Sequence, residues 1–207
     1  MVTSVSIWTM AGIVSFGVIL GHGGAAAFAA TVTRPIPDTG QNIPYTEAFG
    51  EDSDYTINPP SYTKLDDKGK ELDDSATSWS MVRDNATGLI WEVKTDDNSI
   101  HDKDITYKWH DAIGKFITSL NAEKFGGFSD WRLPFVKELS MLVDRGTCNP
   151  AINRKYFPNT MSSAYWSSTA GAYDTNSAWC VNFSSGGVGY GSRSGSGYVR
   201  AVRSGQD

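Results

Sequence analysis

The apolar pattern of this chain changes period once, and that change limits the folds open to it. In "WHDAIGKFITSLNAEKFGG", Ala112, Ile113, Phe116, Ile117 and Leu120 recur at helical spacing on one face, and Gly126-Gly127 ends the run. "LPFVKELSMLVDRG" repeats the pattern with Val136, Leu139, Leu142 and Val143; Pro134 suits its first turn and Gly146 closes it. Past Pro158 the apolar residues come in short aromatic and β-branched runs, "AYWSST", "AWCVNF" and "YVRAVR", which predict strands over 164–169, 178–183 and 198–203. Upstream, Met81-Val82-Arg83 and Leu89-Ile90-Trp91 flank five turn residues, a hairpin with Gly88 free to take positive φ. Two helices followed by antiparallel strands make an α+β plan.

Between the last two predicted strands lies a segment of linker composition. Of the 14 residues from 184 to 197, 11 are serine or glycine. Such a stretch normally behaves as flexible coil. Here it must return the chain to "YVRAVR", so it belongs to the domain.

The first 30 residues contain no Asp, Glu, Lys, Arg or Cys, and run from an apolar stretch (7–20) to Ala27-Phe28-Ala29. This reads as a signal peptide with a small-residue cleavage site, or else a retained N-terminal anchor, and it predicts export to the cell surface, the periplasm or the medium. Membrane association is expected only through that segment. Residues 31–78 hold five of the eight prolines and read as an irregular N-terminal wrap; 79–207 form the domain proper. The net charge of −5, with no basic run, disfavours a nucleic-acid partner.

The usual chemical motifs are missing. "DDNSIHDKD" offers Asp96, Asp97, Asn98, Asp102 and Asp104 but lacks the spacing and central glycine of an EF-hand loop, so a solvated acidic loop is expected. "GGVGYG" is followed by no helix that would hold a phosphate. His101 and His110 have no nearby serine or cysteine in an elbow context. No metal, no cofactor and no catalytic set is predicted.

"FGGFSDWRLPFVKELSMLVD", with "NATGLIWE" before it and "YWSST", "AWCVNF" and "YVRAVR" after it, resembles the bacterial domain family typified by the C-terminal domain of Legionella collagen-like protein. The resemblance covers Trp79 to Arg203. It implies a C-type-lectin-like fold, related to that of formylglycine-generating enzymes: two helices packed on a twisted antiparallel sheet with a loop-rich binding face. The family commonly has threonine after "RLP"; Phe135 stands there in this chain, which weakens the expected cap, while Glu138 is retained. The enzymes of related fold carry a closely spaced cysteine pair. Cys148 and Cys180 are far apart in sequence, so that copper–thiolate chemistry does not carry over.

Members of this kind are also among the targets of diversity-generating retroelements, which rewrite adenines in asparagine-rich template codons. Such rewriting cannot produce Lys, Glu, Gln, Met or Trp. From 169 to 197 the chain has no Lys, Glu, Gln or Met, and its single Trp is Trp179. On this reading Cys180 is a chance product of an asparagine codon. The expected function is an exported, non-enzymatic, receptor- or adhesin-like protein that binds a variable protein or glycan ligand. The expected ligand-binding residues are Tyr173, Asp174, Asn176, Cys180, Asn182, Ser184, Ser185, Gly187, Gly189, Tyr190, Gly191, Ser192, Ser194 and Ser196. Trp131, Leu133, Trp166, Trp179 and Tyr198 are assigned to the scaffold. A fixed-specificity polysaccharide adhesin using Arg193, Arg200 and Arg203 is the alternative, and an oxidase of the formylglycine-generating type a second one.

Overall fold

Hairpin formation at "MVRDNATGLIWE" is enforced by its turn. Asp84 accepts the N–H groups of Ala86 and Thr87 and the Thr87 hydroxyl, and Gly88 sits at φ 69°, where a side chain would be strained. The turn sets the register Met81↔Glu92, Val82↔Trp91 and Arg83↔Ile90 between β2 (Met81–Asp84) and β3 (Leu89–Glu92). A computed structural model of the chain describes residues 36–205; the predicted signal segment lies outside them.

The segment read as an irregular wrap contributes β1 (Tyr62–Leu65), which pairs with β2. With β9 (Val202–Ser204) on the other side, the sheet has the order β1-β2-β3-β9. A second sheet is formed by β5 (Ala164–Ala170), β6 (Ser177–Asn182) and β7 (Gly187–Ser192), in that order. A two-stranded ladder joins β4 (Tyr107–Lys108) to β8 (Ser196–Gly197). Few helices and several antiparallel sheets make this an α+β architecture. The strands do not form the single sheet expected.

Three further expectations are corrected. The first helix does span 109–122, but its middle, Ala112–Ile117, is wound with the wider π pitch. That winding turns Ile113 out of the apolar stripe: Ala112, Phe116, Ile117 and Leu120 are buried and Ile113 is exposed. The second helix, Val136–Met141, ends well before Gly146, whose N–H instead bonds the Asp144 carboxylate in a turn. The predicted strand 198–203 is divided. Tyr198 exchanges backbone bonds with Ala164 and Trp166, whereas Ala201 accepts the Glu92 N–H and Val202–Ser204 pairs with β3. The C-terminal segment therefore stitches the two larger sheets together.

The two-residue period of β5 gives each core cluster one aromatic anchor. Trp166 enters the cluster of Phe116, Leu120, Trp131 and Leu133, and Tyr165 enters that of Trp91, Phe157, Val181 and Phe183. Met81 and Val82 divide between the same two clusters. Each large apolar side chain so buried contributes about 1.5–3 kcal/mol.

A buried charge cluster ties these parts together. Glu92 is fully buried; its carboxylate accepts from Lys94 Nζ at 3.0 Å, from His101 Nδ1 at 2.9 Å and from the Ala201 N–H at 3.0 Å. Burial pushes the Glu92 carboxyl up, but Lys94, His101 and the Ala201 amide outweigh it and hold it below the usual carboxylate range. Arg200, also fully buried, donates to the Glu92 carbonyl at 2.6 Å and to Thr160 Oγ1 at 2.7 Å.

Candidate ligand-binding site

The Ser/Gly stretch is not a loop. It makes the turn after β6, all of β7, the next turn and β8, with β7 in unbroken register against β6 from Ser177↔Ser192 to Asn182↔Gly187. Small side chains are compatible with a strand here because the ladder of backbone bonds supplies the order that the side chains do not.

The structure brings the predicted residues to the outer part of the β5–β6–β7 sheet and its connections. Tyr173, Asp174 and Asn176 are exposed on the β5–β6 loop. Asn182, Ser185, Gly187, Tyr190, Ser192, Ser194 and Ser196 are exposed as well; Cys180, Ser184, Gly189 and Gly191 are half-buried. None of the fourteen is buried. The β5–β6 loop is held by Asp174, whose carboxylate accepts the Ser177 hydroxyl at 2.5 Å and the Asn176 N–H at 2.9 Å. Those two bonds hold its carboxyl below the ordinary value.

The loop 171–176 contributes to two depressions. An apolar cleft of about 140 Å³ is formed by Tyr173, Trp179 and Tyr190 over Gly171, Ala172 and Ser177. Tyr190 and Trp179 are cross-strand partners, with ring centroids 5.7 Å apart in an edge-to-face arrangement. A larger polar groove of about 470 Å³ runs between Asn176, Ser192 and Ser194 on one side and Lys108, His110 and Asp111 on the other. Arg193 borders it with its guanidinium 4.2 Å from the Trp109 ring, and its Nε donates to the Ser177 carbonyl.

Two assignments change. Trp179 is half-buried and lines the cleft, so it belongs to the candidate site as well as to the scaffold. Gly191 moves the other way: a Cβ there would lie 3.2 Å from the Trp166 ring, and one at Gly197 would lie 2.8 Å from Trp166 Nε1. These glycines let β7 and β8 close over the Trp166 indole, which donates to the Tyr107 carbonyl at 3.0 Å. At Gly189 a Cβ would meet nothing within 4 Å, so that position is free to change. Lys108, His110 and Asp111 escaped the sequence reading because no local pattern connects the start of a helix to a turn some eighty residues later.

Arg200 and Arg203, the charges considered for a polysaccharide adhesin, are not surface groups. Arg200 is fully buried, and Arg203 is 4% exposed and paired with Asp130 at 2.8 Å. The acidic loop is likewise not simply solvated. Asp102 is buried, and its carboxylate accepts the N–H groups of Asp97, Asn98 and Asp104. Oxygens of Asp96, Asp102 and Asp104 come within 4.8 Å of one another, but Lys103 bridges Asp96 and Asp104 at 3.0 and 2.6 Å. Both Cys148 and Cys180 are free thiols. Among the described residues, no helix is long and apolar enough to cross a membrane.

No curated protein matches the chain. The family model of the Lcl C-terminal domain matches residues 80–203, which include both helices, the three-stranded sheet and the segment that returns to β3. Such membership is consistent with a ligand-binding or adhesin-like domain. With more than half of its length matched by that model, the chain belongs to the Lcl C-terminal domain family.

Proposed function

We propose that the chain is an exported, non-enzymatic ligand-binding protein of C-type-lectin-like fold, and that the outer β5–β6–β7 surface is its binding face, diversified by a retroelement. The observation that carries this reading is the apolar cleft. Tyr173 and Tyr190, two fully or largely exposed aromatic side chains, flank it with Trp179 in a segment whose other exposed residues are mostly small and polar. Exposed tyrosine among serine and glycine is the composition of antibody paratopes, where the ring supplies contact area at low entropy cost. The residues that hold the fold here, Ser177, Val181, Phe183 and Gly197, are buried, so the exposed positions between them tolerate change.

The encoding DNA tests the diversification. A reverse-transcriptase gene nearby, with a near-copy of codons 169–197 differing only at adenines, is expected; the absence of both overturns it. Binding itself is tested on glycan and peptide arrays with the intact chain. Trp179→Ala and Tyr190→Ala are expected to weaken any hit, and hits that ignore both substitutions place the site elsewhere.

The polysaccharide adhesin is the second reading. The groove bordered by Lys108, His110 and Arg193 favours it, although Arg200 and Arg203 are lost to the interior. It requires salt-sensitive binding to a sulfated glycan that falls with Lys108→Ala.

A further inference from the structure

Among the described residues β7 is the outermost strand of its sheet, and the phase of its hydrogen bonds determines which backbone groups it leaves open. The Phe183 N–H bonds the Ser163 carbonyl at 2.9 Å, and the Arg193 N–H bonds the Asn176 carbonyl at 2.7 Å. In an antiparallel ladder, hydrogen-bonded and non-bonded pairs alternate. Counting inward from those two bonds, Ala178, Cys180 and Asn182 turn their backbone groups to Gly191, Gly189 and Gly187. The N–H and C=O groups of Val188 and Tyr190 therefore point away from β6, into the open edge.

Edge strands are normally blunted by lysine, proline, a bulge or a covering segment. "GVGYGS" has neither lysine nor proline, its register against β6 is unbroken, and Val188 and Tyr190 are 47% and 70% exposed. The two depressions reach this strand at Tyr190 and at Ser192. The cleft of Trp179 and Tyr190 has the size for a single aliphatic side chain, and the groove at the Ser192 end is bordered by Lys108 and Arg193. Asp111, the carboxylate lining that groove, is already paired with Lys115 at 3.1 Å.

We propose that the β7 edge takes an extended peptide segment of a protein ligand as a fourth strand, with an aliphatic side chain of the segment in the Trp179–Tyr190 cleft and an acidic one reaching Lys108 and Arg193. This rests on the reading of the same surface as a binding face, and names the class of ligand. Main-chain bonds supply the affinity in strand addition, and alternate side chains supply the selectivity. A strand of glycine, serine and one tyrosine suits that mode, because nothing on it obstructs a neighbouring backbone. A second copy of the chain fits less well: β7 contains no acidic residue, so self-pairing would leave the basic end of the groove unmatched.

The test screens a display library of random short peptides against the intact chain. Enriched peptides are expected to carry an aliphatic and an acidic residue. They should bind about tenfold more weakly to Val188→Pro, which removes one outward N–H and leaves the bonds to β6 in place. The same loss is expected when alternate peptide nitrogens are methylated, and this arm decides the matter if the proline variant does not fold. Failure to enrich any peptide, or binders indifferent to both changes, overturns the proposal. So does a concentration-dependent dimer that Val188→Pro abolishes, which assigns the edge to a second copy. Ligands lost on Trp179→Ala but unaffected by Val188→Pro would leave the binding face standing and remove only the added strand.

Discussion

The hydroxyl of Thr169, near the end of β5, accepts the backbone N–H of Val136 at 3.0 Å. Phe135, at the cap position of the helix Val136–Met141, has no side-chain acceptor, and a residue from another element supplies the bond instead. Glu138 completes the cap by accepting the Phe135 N–H at 2.8 Å, and is itself held by Arg132 through two bonds of 2.8 and 2.7 Å. Replacing Thr169 by valine keeps the shape and removes the acceptor. The expected loss is about 1 kcal/mol of stability, read from the urea midpoint at unchanged slope.

The glycines of the Ser/Gly stretch divide by what lies beneath them. Gly197→Ala forces a methyl group to within 2.8 Å of Trp166 Nε1, whereas at Gly189 the methyl enters open space. The first substitution should cost about 1–3 kcal/mol, the second little or nothing. Thermal melts of the two variants check this, and equal melting temperatures would contradict the packing described.

Glu92→Gln leaves Lys94 in the interior without its charge partner. Removing one member of such a pair typically costs about 3–5 kcal/mol. The pH dependence follows from the direction of the Glu92 shift. Because the folded-state value lies below the ordinary 4.5, the stabilisation is fully present above pH 4.5 and is lost as pH falls through the folded-state value. Urea midpoints recorded from neutral to acidic pH should fall steeply there for the wild type and less so for Glu92→Gln.

The two thiols should react at different rates. Cys148 is exposed, whereas Cys180 is half-buried between β5 and β7, and burial raises its thiol pKa. Titration of the native protein with a thiol reagent should show one fast equivalent and one slow one. Cys148→Ser should remove the fast phase.

Much of the local structure is legible in the residues. The turn chemistry of Asp84 to Gly88 dictates the β2–β3 hairpin, and the aromatic runs at 164 and 178 mark β5 and β6. None of the fourteen predicted positions is buried, the two tyrosines included. β7 was less legible, because strand signals rest on β-branched and aromatic side chains and this strand has only Val188 and Tyr190. The burial of Arg200 was not legible at all. Arginine in a strand pattern reads as surface, and partners contributed by distant segments, among them the Glu92 carbonyl, the Thr160 hydroxyl and the Phe157 ring, make its burial tolerable.

The sequence by itself determined the family, the two helices, the β2–β3 hairpin, strands β5 and β6, and a segment of small polar residues near the end of the chain. These depend on interactions between residues close in sequence and on patterns along it. The tertiary structure decided that this segment is a strand with one open edge, which of its glycines are needed by Trp166, and that Trp179 faces a cleft. Each depends on what lies across a sheet or beneath a turn, and the nearest-neighbour chemistry of the chain does not encode that placement.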